Sequence, residues 1–318
     1  MKICVTGGAG FIGSEIVRQL VDANHSVTVL DSLTYAGNLF NLKEVQEKIE
    51  FRKININDAD LLKEFFRTTK QDLLINCAAE THVDNSITNP RIFIETNYTG
   101  VYNLLENVRT NSMKFLQVST DEVYGSTENE LFTEEAPLNP SSPYSASKAA
   151  AELLIKSYIT TFETNALIVR CSNNYGPRQY PEKLIPAFVS NLLSGRKVPI
   201  YGNGLNVREW LHVSDCASAI IKAGVHGKQG DIFNISSGFF HSNLEVTRKI
   251  LSFLGLPDSM IEFVSDRPGH DFRYAIDSTK AREILQWEPK VDFKHGLEST
   301  ITWYLSNPEF MSNLESIK

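Results

Sequence analysis

The stretch Lys2-Ile3-Cys4-Val5-Thr6-Gly7-Gly8-Ala9-Gly10-Phe11-Ile12-Gly13 sets spaced glycines between an apolar run and an amphipathic segment of helix length. A strand that turns tightly into a helix aims free N–H groups and the positive helix end at one point, which suits an anion. Gly7 permits the turn, Gly10 lets the backbone approach a pyrophosphate, and Gly13 lets helix pack closely on sheet. Phe11 and Ile12 lie inside the same turn and join the candidate cofactor contacts. A glycine triplet alone is as often a structural turn; the strand before it and the helix behind it decide the reading. Asp31 ends the next apolar run at about the ~20-residue offset of a ribose-binding carboxylate. A carboxylate there repels a 2′-phosphate, so NAD is expected rather than NADP. Asn55-Ile56, after the third run, are candidate adenine contacts, although a loop asparagine is as often a turn former.

Outward from this motif the chain alternates β-branched runs with helical patterns. KICVTG, SVTVLD, IEFRKINI, LLINCAA, KFLQVST and NALIVRCSN read as buried parallel strands, with segments such as SEIVRQLVDAN and ADLLKEFFRTTKQ between them. That rhythm predicts an α/β, Rossmann-like, doubly wound parallel sheet. After about residue 175 turns dominate, as at Asn174–Pro177, Tyr201–Gly204 and Arg267–His270, whereas DIFNISS reads as one more strand. We therefore expect a cofactor domain of residues 1–174 plus about 214–237. A smaller domain of about 175–213 plus 238–318 would bind substrate, its last residues, 312–318, frayed.

Composition narrows the function classes. In 318 residues, 42% hydrophobic and 22% charged, no apolar run reaches the ~18–20 residues of a membrane span, and the N-terminus lacks a signal-peptide pattern. A net charge of −7 is wrong for a general nucleic-acid or anionic-membrane binder. Cys4, Cys77, Cys171 and Cys216 are scattered, with no metal-ligand spacing. A cytoplasmic protein with reduced thiols and no metal site is expected.

Two further segments carry chemistry. Ser119-Thr120-Asp121-Glu122-Val123-Tyr124-Gly125 follows an apolar run, and Tyr144-Ser145-Ala146-Ser147-Lys148 opens an alanine-rich helix. Tyrosine and lysine four apart share a helix face. An ammonium near a phenol favours phenolate and makes a general base of it. An isolated pair of this kind is usually a solvated surface pair; the upstream dinucleotide motif reverses that weighting. Adjacent carboxyls are likewise commonest in solvated loops, but less so directly after a buried strand.

GGAGFIG together with the Tyr144/Lys148 spacing resembles the extended short-chain dehydrogenase/reductase superfamily. STDEVYG, AAETHVDNSI, RCSNNYGP, PEKLIP, NVREWLHV and RPGHDFRYAID narrow the resemblance to the nucleoside-diphosphate-glucose 4,6-dehydratases, from Met1 to about residue 305. The resemblance implies that NAD oxidises sugar C4, that water leaves across C5–C6, and that C6 is then reduced, with dTDP-glucose as the favoured substrate. It gives Tyr144 the C4-hydroxyl proton, with Lys148 and Thr120 assisting. Glu122 takes the C5 proton, and Asp121 donates to the departing C6 oxygen. It nominates Arg208 for the phosphates, with Asn173, Lys183, Asn234, Arg267 and His270 around the nucleotide; Leu184 joins the substrate-binding candidates, and Tyr201 either stacks on the base or merely packs. A homodimer is implied too, through helices near residues 91–110 and 144–163.

The chain departs from the family pattern at several positions. Asn85 and Phe272 stand where arginine is usual, Asn55 where aspartate is, and Arg178-Gln179-Tyr180 where a triad such as Tyr-His-Phe is. UDP-glucose and UDP-GlcNAc therefore stay open as substrates. A nucleotide-sugar 4-epimerase would share the fold and the Tyr–Lys pair but not the Asp–Glu pair. A non-enzymatic NAD-binding module is the rival from another class.

Overall fold

The computed structural model describes residues 1–310; the C-terminal stretch expected to fray lies outside them. Seven strands form one parallel sheet: β1 (Lys2–Thr6), β2 (Ser26–Asp31), β3 (Ile49–Lys53), β4 (Leu73–Asn76), β5 (Lys114–Thr120), β6 (Ala166–Cys171) and, from far along the chain, Ile232–Ile235. Their spatial order runs from Ile232–Ile235 through β6, β5, β4 and β1 to β2 and β3. The order reverses between β1 and β4, which opens a crevice at their C-terminal ends where open α/β sheets bind ligands.

All seven strands lie where apolar runs were read in the sequence. NALIVRCSN differs in one respect: β6 stops at Cys171, and Asn173–Tyr175 (β7) leaves for a second sheet. There it pairs with β9 (Val207–His212), which also pairs with β11 (Phe240–Ser242). A third, two-stranded sheet joins β8 (Val198–Tyr201) to β12 (Ile261–Val264), so the Ile232–Ile235 strand is β10.

Helices cover both faces of the large sheet, as strands buried on both sides require. One face packs Ile3, Val5, Ile16, Val17, Leu116 and Ile220 into a core. The other packs Leu62, Phe66, Leu74, Leu104, Phe115 and Ile155. A separate core around Tyr175, Phe188, Trp210, Ile250 and Tyr304 holds the smaller sheets. The segment read as one helix near residues 91–110 is a helix from Pro90 to Asn111 with a π-type turn at Glu95–Thr99. That turn buries Asn97, whose amide bonds both backbone groups of Glu80 and the Ser147 hydroxyl. No described helix is long and apolar enough to cross a membrane.

Candidate active site

A cleft with a cavity of about 400 Å³ runs from the β1 glycine turn to the smaller sheets. Gly7, Gly10, Phe11, Ile12 and Gly13 line one end, and Thr120, Asp121, Glu122, Tyr144 and Lys148 the middle. Asn173, Lys183, Leu184, Tyr201, Arg208, Arg267 and His270 line the other end.

The glycine turn has the shape a dinucleotide needs. Gly7 has φ +65°, and a Cβ there would lie 2.7 Å from the Ala78 nitrogen; one on Gly13 would lie 2.2 Å from the Gly7 oxygen. A Cβ on Gly10 would meet nothing nearer than 3.2 Å, so backbone faces open cleft there. Helix α1 (Phe11–Asp22) begins at this point with no side-chain cap, which leaves its first N–H groups for a ligand. The buried Asp31 carboxylate accepts from the Ala9 nitrogen at 2.9 Å and the Leu33 nitrogen at 2.8 Å, so it also braces the turn. Asn55 and Ile56 do not line the cavity. The Asn55 Oδ1 accepts from the Asn57 nitrogen, and the Ile56 carbonyl accepts from Asn103.

Tyr144 and Lys148 share one face of the Pro143–Phe162 helix, which starts with a Ser142/Ser145 capping box and a proline in its first turn. Both side chains are buried. Lys148 Nζ donates to the Val118 carbonyl at 2.7 Å, and burial lowers its pKa to about 8. The expected lowering of the Tyr144 pKa does not appear in this arrangement. Burial, then the Glu122 charge, pushes the phenol up, while a hydrogen bond with Thr120 pulls the other way. The lysine ammonium donates to the strand carbonyl, and burial of the phenol dominates.

Thr120 ends β5 and caps a short turn, Asp121–Tyr124, that carries the two acids. Asp121 Oδ1 accepts from the Thr120 hydroxyl at 3.1 Å, and Oδ2 has no partner among the described residues. Burial, then Glu122 and Glu209, raises its pKa well above the ordinary carboxylate value, which favours the protonated form. Glu122 is only half-buried, and burial raises its pKa against the pull of Lys183, Arg208 and Arg267. Neighbouring carboxyls in unequal surroundings are how one site offers an acid and a base together.

Beneath the acids lies a buried ion pair. Arg170 and Glu152, both fully buried, meet at 2.6 Å. Glu152 also accepts from the Ser119 hydroxyl, and Arg170 donates to the Tyr124 hydroxyl and the Glu134 carbonyl. Asn234 belongs here and not to the cleft. It is fully buried on β10, accepts from Tyr124 and donates to the Phe132 carbonyl, so its nomination as a nucleotide contact fails for want of access.

At the far end Arg208 is held by the carbonyls of Val207, Asp271 and Phe272, with its guanidinium 4.2 Å from the Tyr274 ring centroid. Lys183 Nζ reaches the Thr81 carbonyl, and Asn173 Oδ1 is a buried acceptor without a donor among the described residues. Asp84 ties Arg267 at 3.0 Å and Tyr201 at 3.3 Å, and His270 pairs with Asp266 at 2.6 Å. Cys77 and Cys171 also line the cavity, and the Cys171 sulfur lies 3.5 Å from that of Cys216.

Several lining residues escaped the sequence reading, among them Asn243, Glu182, Tyr180 and Trp210. Asn243 had a visible signal. Ser242-x-x-Glu245 is a capping box, which puts Asn243 in the first turn of a helix opening out of the turn-rich half.

The sequence pattern of the GDP-mannose 4,6 dehydratase family matches residues 4–300. The chain belongs to this family. Among its relatives, the low-salt glycan biosynthesis protein Agl12 of Haloferax volcanii is 46% identical over 97% of this chain and 100% of its own length. A dTDP-glucose 4,6-dehydratase of Streptomyces niveus is 43% identical over 99% of this chain and 96% of its own. The solved dTDP-glucose 4,6-dehydratase DesIV of Streptomyces venezuelae, with NAD and dTDP bound, superposes with a TM-score of 0.96 at 44% identity, covering 99% of this chain and 100% of that one.

Proposed function

We propose that the protein dehydrates dTDP-glucose to its 4-keto-6-deoxy product, with NAD held in the cleft by Gly7, Gly10, Phe11, Ile12, Gly13 and Asp31. The observation that carries this reading is the adjacent Asp121–Glu122 pair lining the cleft with Tyr144, in which Asp121 is buried in surroundings that favour its protonated form. NAD, when bound, supplies a positive charge and an acceptor for the C4 hydrogen that it later returns to C6. Tyr144 removes the C4-hydroxyl proton, brought to working pH by that charge and aided by Lys148 and Thr120. The resulting ketone acidifies C5. Glu122 takes the C5 proton and Asp121 gives its proton to the departing C6 oxygen.

Arg208 grips the diphosphate with a guanidinium already held rigid by three carbonyls, with Arg267 and Lys183 beside it. Tyr201 and His270 flank the base, Asn173 and Leu184 complete the wall, and Asn243 takes the place first given to Asn234. Residues 1–174 with about 214–237 act as the cofactor domain; about 175–213 with 238–318 act as the substrate domain.

The working unit in this reading is a homodimer in the cytoplasm. Ile92, Ile94, Tyr98, Tyr102, Leu153 and Phe162 are exposed apolar residues on the Pro90–Asn111 and Pro143–Phe162 helices, a face suited to a four-helix contact. Tyr102→Glu with Leu153→Glu should give a monomer by light scattering. Free thiols lining the cleft suit a reducing compartment.

Incubation with dTDP-glucose, UDP-glucose and UDP-GlcNAc, read by product mass, tests the reaction. Loss of one water from the dTDP sugar is expected. A product of unchanged mass would mean epimerisation and overturn the reading.

A further inference from the structure

The redox-neutral cycle requires that NAD stay in place between its two hydrogen transfers, and one side-chain cluster outside the chemistry bears on this. The loop after β2 is fixed to the glycine turn. The Asn38 nitrogen donates to the Ala9 carbonyl at 3.0 Å, and Gly37 packs so closely on Asp31 that a Cβ there would lie 2.7 Å from Oδ1. Ala36 of this loop lines the cavity opposite Tyr180 and Glu182, which precede the helix Leu184–Leu193. Its neighbour Tyr35 spans the gap. The phenol donates to Glu182 Oε1 at 3.4 Å, and the ring meets Tyr180 edge-on at 5.3 Å. Glu80, buried in the loop after β4, lies close enough for its charge to act on the Tyr35 phenol, and burial with the nearby Glu182 charge raises its own pKa. Three segments of the chain thus meet on one phenol.

We propose that Tyr35, Glu182 and Glu80 form a clasp over the dinucleotide cleft that retains NAD through the catalytic cycle. The clasp joins the loop bolted to the pyrophosphate turn to the segment that carries Lys183 toward the substrate end. Dinucleotide leaves only when the Tyr35–Glu182 contact opens. The inference rests on the NAD reading given above and adds to it the residues that govern release.

The test is exchange of bound dinucleotide with carbon-14-labelled NAD⁺, measured on the parent, Tyr35→Phe, Glu182→Ala and Glu44→Gln, each first checked by thermal melting. Tyr35→Phe keeps the ring against Tyr180 and removes only the hydroxyl that donates to Glu182. Its exchange should be about tenfold faster, equivalent to about 1.4 kcal/mol. Glu182→Ala removes the acceptor from the opposite side and should accelerate exchange likewise, which gives an answer if the tyrosine variant does not fold. Glu44 pairs with Arg178 at 2.8 Å across the same lobes, but its side chain is 65% exposed. Exchange in Glu44→Gln should therefore stay within about twofold of the parent. Unchanged exchange in both clasp variants, or equal acceleration in Glu44→Gln, overturns the clasp while leaving the NAD reading intact. A parent that neither carries nor takes up dinucleotide overturns both.

Discussion

Replacing Glu152 with alanine tests whether the ion pair under the acids is a structural necessity. In the parent, Arg170 Nε lies 3.1 Å from each Glu152 oxygen and Nη2 lies 2.6 Å from Oε2, all at zero exposure. The variant leaves a guanidinium buried without its counter-charge, which typically costs about 3–5 kcal/mol. The Ser119 hydroxyl loses its acceptor as well, adding about 1 kcal/mol. Against a typical total of about 5–15 kcal/mol this is a large share. Urea unfolding at fixed chain concentration reads the change as a lowered midpoint with unchanged slope. The double variant Glu152→Met with Arg170→Met should recover most of the loss, because a well-packed apolar pair can replace a buried ion pair. It should remain about 1–2 kcal/mol below the parent, since Tyr124 and Ser119 still lose partners. A single variant within about 1 kcal/mol of the parent would refute the reasoning.

Asp121→Asn and Glu122→Gln should each slow product formation by about 10²–10⁴-fold while still reducing cofactor, seen as persistent absorbance in a single turnover; Tyr144→Phe should slow the reaction without that absorbance. Because Asp121 works protonated and its pKa is raised, the parent rate should fall as pH rises through that raised value, and Asp121→Asn should lose that limb of the profile. Lys148 has its folded pKa lowered to about 8 from 10.5, so the folded state binds fewer protons than the unfolded one between those values. Its contribution to stability then rises with pH across that window, and the stability difference between Lys148→Met and the parent should shift toward the parent there, measured by urea unfolding at each pH. Gly13→Ala should abolish dinucleotide retention, read from the supernatant of denatured protein, because its Cβ would meet the Gly7 oxygen at 2.2 Å.

The sheet was legible because a parallel strand buried on both faces is a largely apolar run, as at β1, β2, β4 and β6, while the edge strand β3, IEFRK, is only partly buried and was legible from its place in the strand–helix rhythm. The acids and the Tyr–Lys pair were legible because they sit one step beyond a strand or at the start of a capped helix, where local sequence sets position. Asn234 and Asn243 show where that stops. Both are asparagines in the second half. One faces the interior of β10 and the other opens a helix toward the cleft, a difference fixed by packing far away in sequence. The Tyr144 pKa was misjudged for a similar reason. Spacing places the lysine on the correct face but does not say how deeply the phenol is buried, and burial outweighs the neighbouring charge.

The π-type turn at Glu95–Thr99 holds one residue more than a regular helix would need there. Deleting one residue would tidy the hydrogen bonding, but each residue turns a helix by about 100°. Everything on the far side would swing by that angle relative to Asn97, which is locked to Glu80 and Ser147. Tyr102 would leave the outer face it shares with Leu153, while Leu104 and Leu105 would rotate out of the core. The surplus residue thus acts as a phase corrector between two faces of one rod: an inner face keyed to the catalytic helix and an outer face keyed to whatever covers it.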